Sequence, residues 1–244
     1  MEPKVRNIAF LLCVVAIGCS KPTDSHGVPL QGQAGSTIEI DSNIPWGGLK
    51  VQLSGSSLEN ANQIVVLLHG YGATEADLAP LADYIGGDSR AFVFPAAPIA
   101  IDGGGLAWAT TEQELDTAHA RLAALVRFAS QTYPDAEIAV GGFSQGATVS
   151  SLLLSDGKLP IRHLILYSPA LAIDGSSIKP GRDIRVLLAH GLRDEVLPFK
   201  DSERLHGMLK SKGITTNWYP FDGGHTITPG ILNKTRNQLS QRGK

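Results

Sequence analysis

Residues 142–146 read Gly142-Phe143-Ser144-Gln145-Gly146, a G-x-S-x-G pentapeptide set between two apolar runs. Few short motifs restrict a fold as tightly. A serine that attacks a substrate must stand clear of its sheet, on a sharp turn from strand into helix. Glycines on either side let the backbone turn that tightly. The residue after the serine opens the helix, so its backbone N–H can hold an anion. The upstream run Ala136-Glu137-Ile138-Ala139-Val140 reads as a buried strand. The downstream run Ala147-Thr148-Val149-Ser150-Ser151-Leu152-Leu153-Leu154 reads as a helix covered on most sides. The motif therefore predicts a strand–turn–helix unit with Ser144 at its apex.

A serine alone is a weak nucleophile near neutral pH and needs a base and a third group that orients the base. On such an elbow the partners follow in the order serine, acid, histidine. The acid candidate is Asp194, in His190-Gly191-Leu192-Arg193-Asp194-Glu195-Val196-Leu197-Pro198, just past the apolar run 184–189. Glu195 is the second choice. The base candidate is His225, in Phe221-Asp222-Gly223-Gly224-His225, after the run 215–219. Two glycines permit a tight loop there. Asp222 is nearer in sequence, but Asp194 better fits a strand end, where open α/β sheets place their sites.

His69, in Leu68-His69-Gly70-Tyr71-Gly72, also ends a strand-like run but precedes the serine. It is read as structural, holding a loop that supplies an oxyanion donor. The two donors expected are the backbone N–H groups of Tyr71 and Gln145. His163 and His190 read as structural residues on strands, His119 and His206 as solvated or locally paired on helices, and His26 as solvated. No His, Asp and Glu cluster has metal-ligand spacing, so neither metal nor cofactor is expected.

Strand-like runs fall at 37–40, 49–53, 63–68, 91–94, 136–140, 163–167, 184–189 and 215–219. Helix-like runs fall at 74–84, 112–130, 200–209 and 231–239, the first with Thr74 as N-cap. The early strands lack intervening helices, and the later ones alternate with them. Runs such as Ile64-Val65-Val66-Leu67-Leu68 suit strands covered on both faces. The expected fold class is α/β, a mostly parallel central sheet flanked by helices. With 244 residues, 43% hydrophobic and 18% charged, the chain suits one such domain. A net charge of −2 and the lack of a basic stripe argue against nucleic acid.

Ahead of this domain, Lys4 and Arg6 precede an apolar run, 8–17, that ends at Gly18-Cys19. The run is too short to span a bilayer but suits a signal peptide. A small residue before cysteine resembles the bacterial lipoprotein signal, with Ala16 where leucine is usual. The resemblance implies cleavage after residue 18 and lipid on Cys19, with Ser20 favouring the outer membrane of the cell envelope. Residues 19–35 read as a flexible tether, and 36–244 as the catalytic domain. Of the two cysteines only Cys19 survives cleavage, so no disulfide forms within the domain.

Four separated segments resemble the phospholipase/carboxylesterase family of α/β-hydrolases: Leu67–Ala73, Gly141–Ala147, Gly191–Pro198 and Gly223–His225. Phe94-Pro95-Ala96-Ala97-Pro98 is similar to the family's proline-rich turn. The resemblance implies an α/β-hydrolase fold with Ser144 as nucleophile, Asp194 as orienting acid and His225 as base. It departs at Gly105-Leu106-Ala107-Trp108-Ala109, where relatives carry a charged residue and a second aromatic. Trp108 is the substrate-binding candidate, a core position being the alternative. The expected function is hydrolysis of small-molecule esters with short or medium acyl groups. Thioesters or lysophospholipids, polysaccharide esters and a catalytically silent tethered binding module are the competing readings. Oligomeric state is not legible in the sequence.

Overall fold

The computed structural model describes residues 40–41, 43–179 and 183–241. The expected signal peptide, Cys19, the tether and all of the 37–40 run except Ile40 lie outside them. Among the described residues, nine strands and six α-helices follow one another as β1 (Val51–Gly55), β2 (Gln63–Leu68), α1 (Glu75–Leu78), α2 (Leu81–Ile85), β3 (Arg90–Pro95), β4 (Ile99–Ala100), β5 (Leu106–Ala107), α3 (Glu112–Thr132), β6 (Glu137–Phe143), α4 (Gln145–Leu152), β7 (Ile161–Tyr167), β8 (Arg185–Gly191), α5 (Phe199–Ser211), β9 (Thr215–Phe221) and α6 (Pro229–Leu239).

Seven strands form one sheet in the order β1-β3-β2-β6-β7-β8-β9. Among the described residues of this sheet, only β1 runs antiparallel, against β3; its other pairings are parallel. The parallel strands have helices on both faces, which explains their continuous apolar runs. In β2, Ile64, Val66 and Leu68 pack toward α3, α4 and α5, while Val65 and Leu67 pack toward α1, α2 and α6. This is the expected mostly parallel sheet flanked by helices.

Helix α3 buries Leu115, Ala118, Leu122, Leu125, Val126 and Ala129, the face expected from spacing. A capping box closes its start: Glu114 N–H donates to Thr111 Oγ1, and Thr111 N–H to Glu114 Oε2. The run 74–84 is not one helix. Thr74 caps α1 with Asp77 as its reciprocal partner, but the helix stops at Leu78 and α2 begins after Pro80. Proline cannot donate the i→i−4 bond there, so the helix divides. The β4–β5 hairpin was not expected from the sequence. Its strands have two residues each, and three glycines at its tip, Gly103, Gly104 and Gly105, all take positive φ.

Candidate active site

Ser144 sits between β6 and α4 with φ 55 and ψ −120, a left-handed conformation rare for a side-chain-bearing residue. Its N–H donates to Tyr167 O at 2.9 Å, and its carbonyl accepts from Thr148 N–H at 3.0 Å. The flanking glycines act differently from the expectation that they make the turn. Gly142 and Gly146 are not among the positive-φ residues; Ser144 itself carries the strain. They are glycine because the chain passes too close to β2. A Cβ on Gly142 would lie 2.4 Å from Leu68 O, and one on Gly146 2.2 Å from the same oxygen.

The loops after β8 and β9 hold the acid and the histidine. His225 Nδ1–H donates to Asp194 Oδ2 at 2.7 Å, with side chains 13% and 0% exposed. The other carboxylate oxygen accepts from Val196 N–H and Leu197 N–H, both at 2.9 Å. Burial pushes Asp194 toward the neutral acid. Hydrogen bonds from His190, His225 and Leu197 N–H together outweigh it and hold the carboxyl well below the usual carboxylate range. The two loops are bound together by Leu192 N–H to Phe221 O and Arg193 N–H to Gly223 O, both at 2.9 Å. Gly191 permits this approach, since a Cβ there would lie 2.3 Å from Gly224 O. Asp222 pairs with Arg193 at the surface rather than with His225. Glu195 is exposed, next in line to Asp194, whose side chain is fully buried.

His69 holds its loop as expected. Its Nδ1–H donates to Gly70 O at 2.8 Å, and Nε2 accepts from Ala97 N–H at 3.1 Å. Burial lowers its pKa, which favours the neutral ring that this pattern requires. The β4–β5 hairpin lies against the same loop through Gly72 N–H to Leu106 O, 2.9 Å, and Leu106 N–H to Ala73 O, 3.0 Å. Trp108 takes the core position that was its alternative reading. It is 1% exposed, and its Nε1–H donates to His69 O at 2.8 Å. The indole supports the wall from behind and offers no face to a substrate, because the aromatic ring satisfies its one polar group inside the core.

The sheet thus brings Ser144, His225, Asp194, Tyr71 and Gln145 to its carboxyl edge. The ring of His225 packs on Phe143, centroids 4.6 Å apart, beside Ser144. No hydrogen bond joins Ser144 Oγ to His225 among the described residues; such bonds are often long in free enzymes and tighten with substrate. Gln145 is the first residue of α4, so its N–H has no intrahelical acceptor. The arrangement can support attack by the serine, with the histidine as base and the buried carboxylate holding it in place. Two contributors escaped sequence reasoning. His190, read only as structural, lies 3.1 Å from Asp194 Oδ2; the spacing of four residues from the acid was the available signal. The Gln145 side chain bonds Trp108 N–H and Ala109 O, and nothing in the motif announces it.

A family model described as Phospholipase/Carboxylesterase matches residues 55–242. The putative hydrolase MhqD of Bacillus subtilis (strain 168) is 25% identical over 177 residues, spanning 69% of this chain and 88% of that protein. The crystal structure of esterase PE8 superposes with a TM-score of 0.69 at 27% identity, covering 78% of this chain and 97% of that one. A Bacillus cereus carboxylesterase superposes with a TM-score of 0.68 at 22% identity, covering 80% and 94%; at that identity the likeness speaks for the fold.

Proposed function

The chain belongs to the phospholipase/carboxylesterase family of α/β-hydrolases, and from that premise we propose that it hydrolyses short or medium acyl esters through Ser144, His225 and Asp194. The observation that carries this reading is the 2.7 Å bond from His225 to Asp194, made beside the strand end where Ser144 is held at φ 55.

In the proposed reaction, Ser144 Oγ attacks the ester carbonyl carbon as His225 Nε2 accepts its proton. Asp194 stays ionised, fixes the tautomer through Nδ1–H and stabilises the imidazolium. The N–H groups of Tyr71 and Gln145 receive the oxyanion, which is where most of the rate enhancement of such sites arises. The carbonyl reforms, the C–O bond to the alcohol breaks, and His225 returns its proton to the leaving oxygen. Water then attacks the acyl-serine by the same relay and releases the acid.

Short or medium acyl groups are favoured because the hairpin against the Tyr71 loop is small. Ile99, Ile101 and Leu106 are its only large apolar side chains, and each methylene of a fatty chain needs apolar cover to contribute its ~0.8 kcal/mol. A series of p-nitrophenyl esters from acetate to palmitate tests this. Activity greatest on the shorter chains and falling toward palmitate is expected; a maximum at palmitate would refute the acyl assignment.

The proposal includes a lipid on Cys19 that holds the enzyme at the bacterial envelope, an argument from sequence alone. Metabolic labelling with an alkyne fatty acid should mark the protein and be lost in Cys19→Ser. Labelling that survives the substitution would remove the anchor.

A further inference from the structure

We propose that His190 is a positioning residue for this reaction: it holds the carboxylate that in turn orients the base. The inference rests on the triad reading above. His190 lies near the end of β8 and is 0% exposed. Its Nε2 lies 3.0 Å from Leu197 O, in a hydrogen bond, and 3.1 Å from Asp194 Oδ2. Both neighbours are acceptors, so Nε2 carries a proton. Nδ1 lies 2.7 Å from Ser202 Oγ on α5, and the ring stands edge-on to Phe199, 5.9 Å between centroids.

The acid loop is folded around this ring. Leu197 accepts from His190 through its carbonyl and donates to Asp194 Oδ1 through its N–H. Asp194 Oδ2 therefore faces two imidazoles, and His190 is the one that never meets a substrate. Its share of the carboxylate charge is charge that His225 does not receive. Among the described residues, the ion-pair contacts of Asp194, His190 and His225 are only with one another. Phe143 covers His225, and Phe199 with Ser202 covers His190. Arg193 and Asp222, on the same two loops, pair with each other at the surface. A pH profile thus reads this trio.

The test compares His190→Leu, which removes the donor, with His190→Gln, which keeps an N–H. Each is assayed on p-nitrophenyl acetate with active sites counted by titration. In His190→Leu the acidic limb of kcat/KM should move up by about 1 pH unit, because Asp194 gives its full charge to the base. Its kcat should fall about 10–100-fold, with KM changed less than about twofold, since only the aim of the base is lost. His190→Gln should recover most of kcat and return the limb toward the parent profile. A His190→Leu profile superimposable on the parent, at equal kcat per active site, overturns the proposal. Should His190→Leu not fold, ¹⁵N spectra of the parent protein decide. Nε2 of His190 should stay protonated throughout the range in which activity titrates, and an unprotonated Nε2 anywhere in it overturns the proposal. Ser144→Ala runs alongside: lost hydrolysis ties the profiles to this site, whereas surviving hydrolysis overturns the triad reading itself, an outcome distinct from an unmoved profile.

Discussion

The side chain of Gln145 is bonded to the backbone on both sides of the Trp108 carbonyl: Oε1 accepts Trp108 N–H at 2.7 Å, and Nε2 donates to Ala109 O at 2.6 Å. The residue that follows Ser144 thereby fastens the chain leaving the β4–β5 hairpin. Trp108 Nε1–H passes the link to His69 O, and His69 Nε2 passes it to Ala97 N–H. Elbow, hairpin and the loop after β2 are therefore one hydrogen-bonded unit, and the residues that link them, Gln145, Trp108, Ala109, His69 and Ala97, are all buried.

Gln145→Leu should keep the volume but orphan Trp108 N–H and Ala109 O inside the core. Each buried, unpaired group costs about 1–3 kcal/mol. Urea unfolding should show a loss in that range or above; a loss below about 0.5 kcal/mol would mean that the link is not made.

Trp108→Phe removes one hydrogen bond and leaves most of the packing. Because the indole is buried, kcat should fall through a loosened His69 loop while KM stays nearly constant. A KM effect that dominates would place Trp108 against the substrate after all.

Gly105→Ala and Gly104→Ala separate strain from collision. Both positions have positive φ, so each should cost about 1 kcal/mol in backbone strain. A Cβ at Gly105 would additionally lie 2.1 Å from Gly72 O, whereas one at Gly104 meets nothing within 4 Å. Gly105→Ala should therefore push the hairpin off the oxyanion loop and lower kcat sharply, with Gly104→Ala near the parent. Equal activities would show that the hairpin does not set that loop.

His163 should make the protein sensitive to mild acid. It is 1% exposed, with Nδ1 unpartnered. Burial, then Arg185, Arg90 and Arg162, lower its pKa to about 4. The unfolded chain takes up a proton near pH 6.5 that the folded chain refuses until about pH 4. Stability is thus complete above pH 6.5 and falls progressively as pH drops to about 4, by about 3 kcal/mol in all. Lowered by burial as well, His69 adds to the same slope. Asp194 acts in a lower window, since its stabilisation is complete above the ordinary carboxylate range and is lost as pH falls through and below it. Urea unfolding across this range should show the decline, and His163→Leu should remove most of it; an unchanged slope would contradict the assignment.

The sequence made the sheet and the candidate site groups legible because both rest on local signals. Continuous apolar runs mark strands covered twice, a strand-end position selects Asp194 over Asp222, and the order of the chain after the serine selects His225 over His69. The less legible features depend on contacts between distant segments. That Gly142 and Gly146 make room for Leu68 O, that Gln145 fastens Trp108, and that His190 faces Asp194 are properties of the packed sheet edge. Trp108 shows the limit most clearly: its motif position fits either a substrate surface or the core, and only the bond to His69 O places it in the core. Pro80 was a local signal with a local meaning, and it divides the helix expected over 74–84.

The most direct test of Ser144 as nucleophile is intact-mass analysis of the folded protein after reaction with a fluorophosphonate, followed by peptide mapping. One adduct per chain on Ser144, absent from Ser144→Ala and strongly slowed in Asp194→Asn, is the expected result. An adduct that persists in folded Ser144→Ala, or a parent protein that hydrolyses esters without ever being labelled, would contradict it.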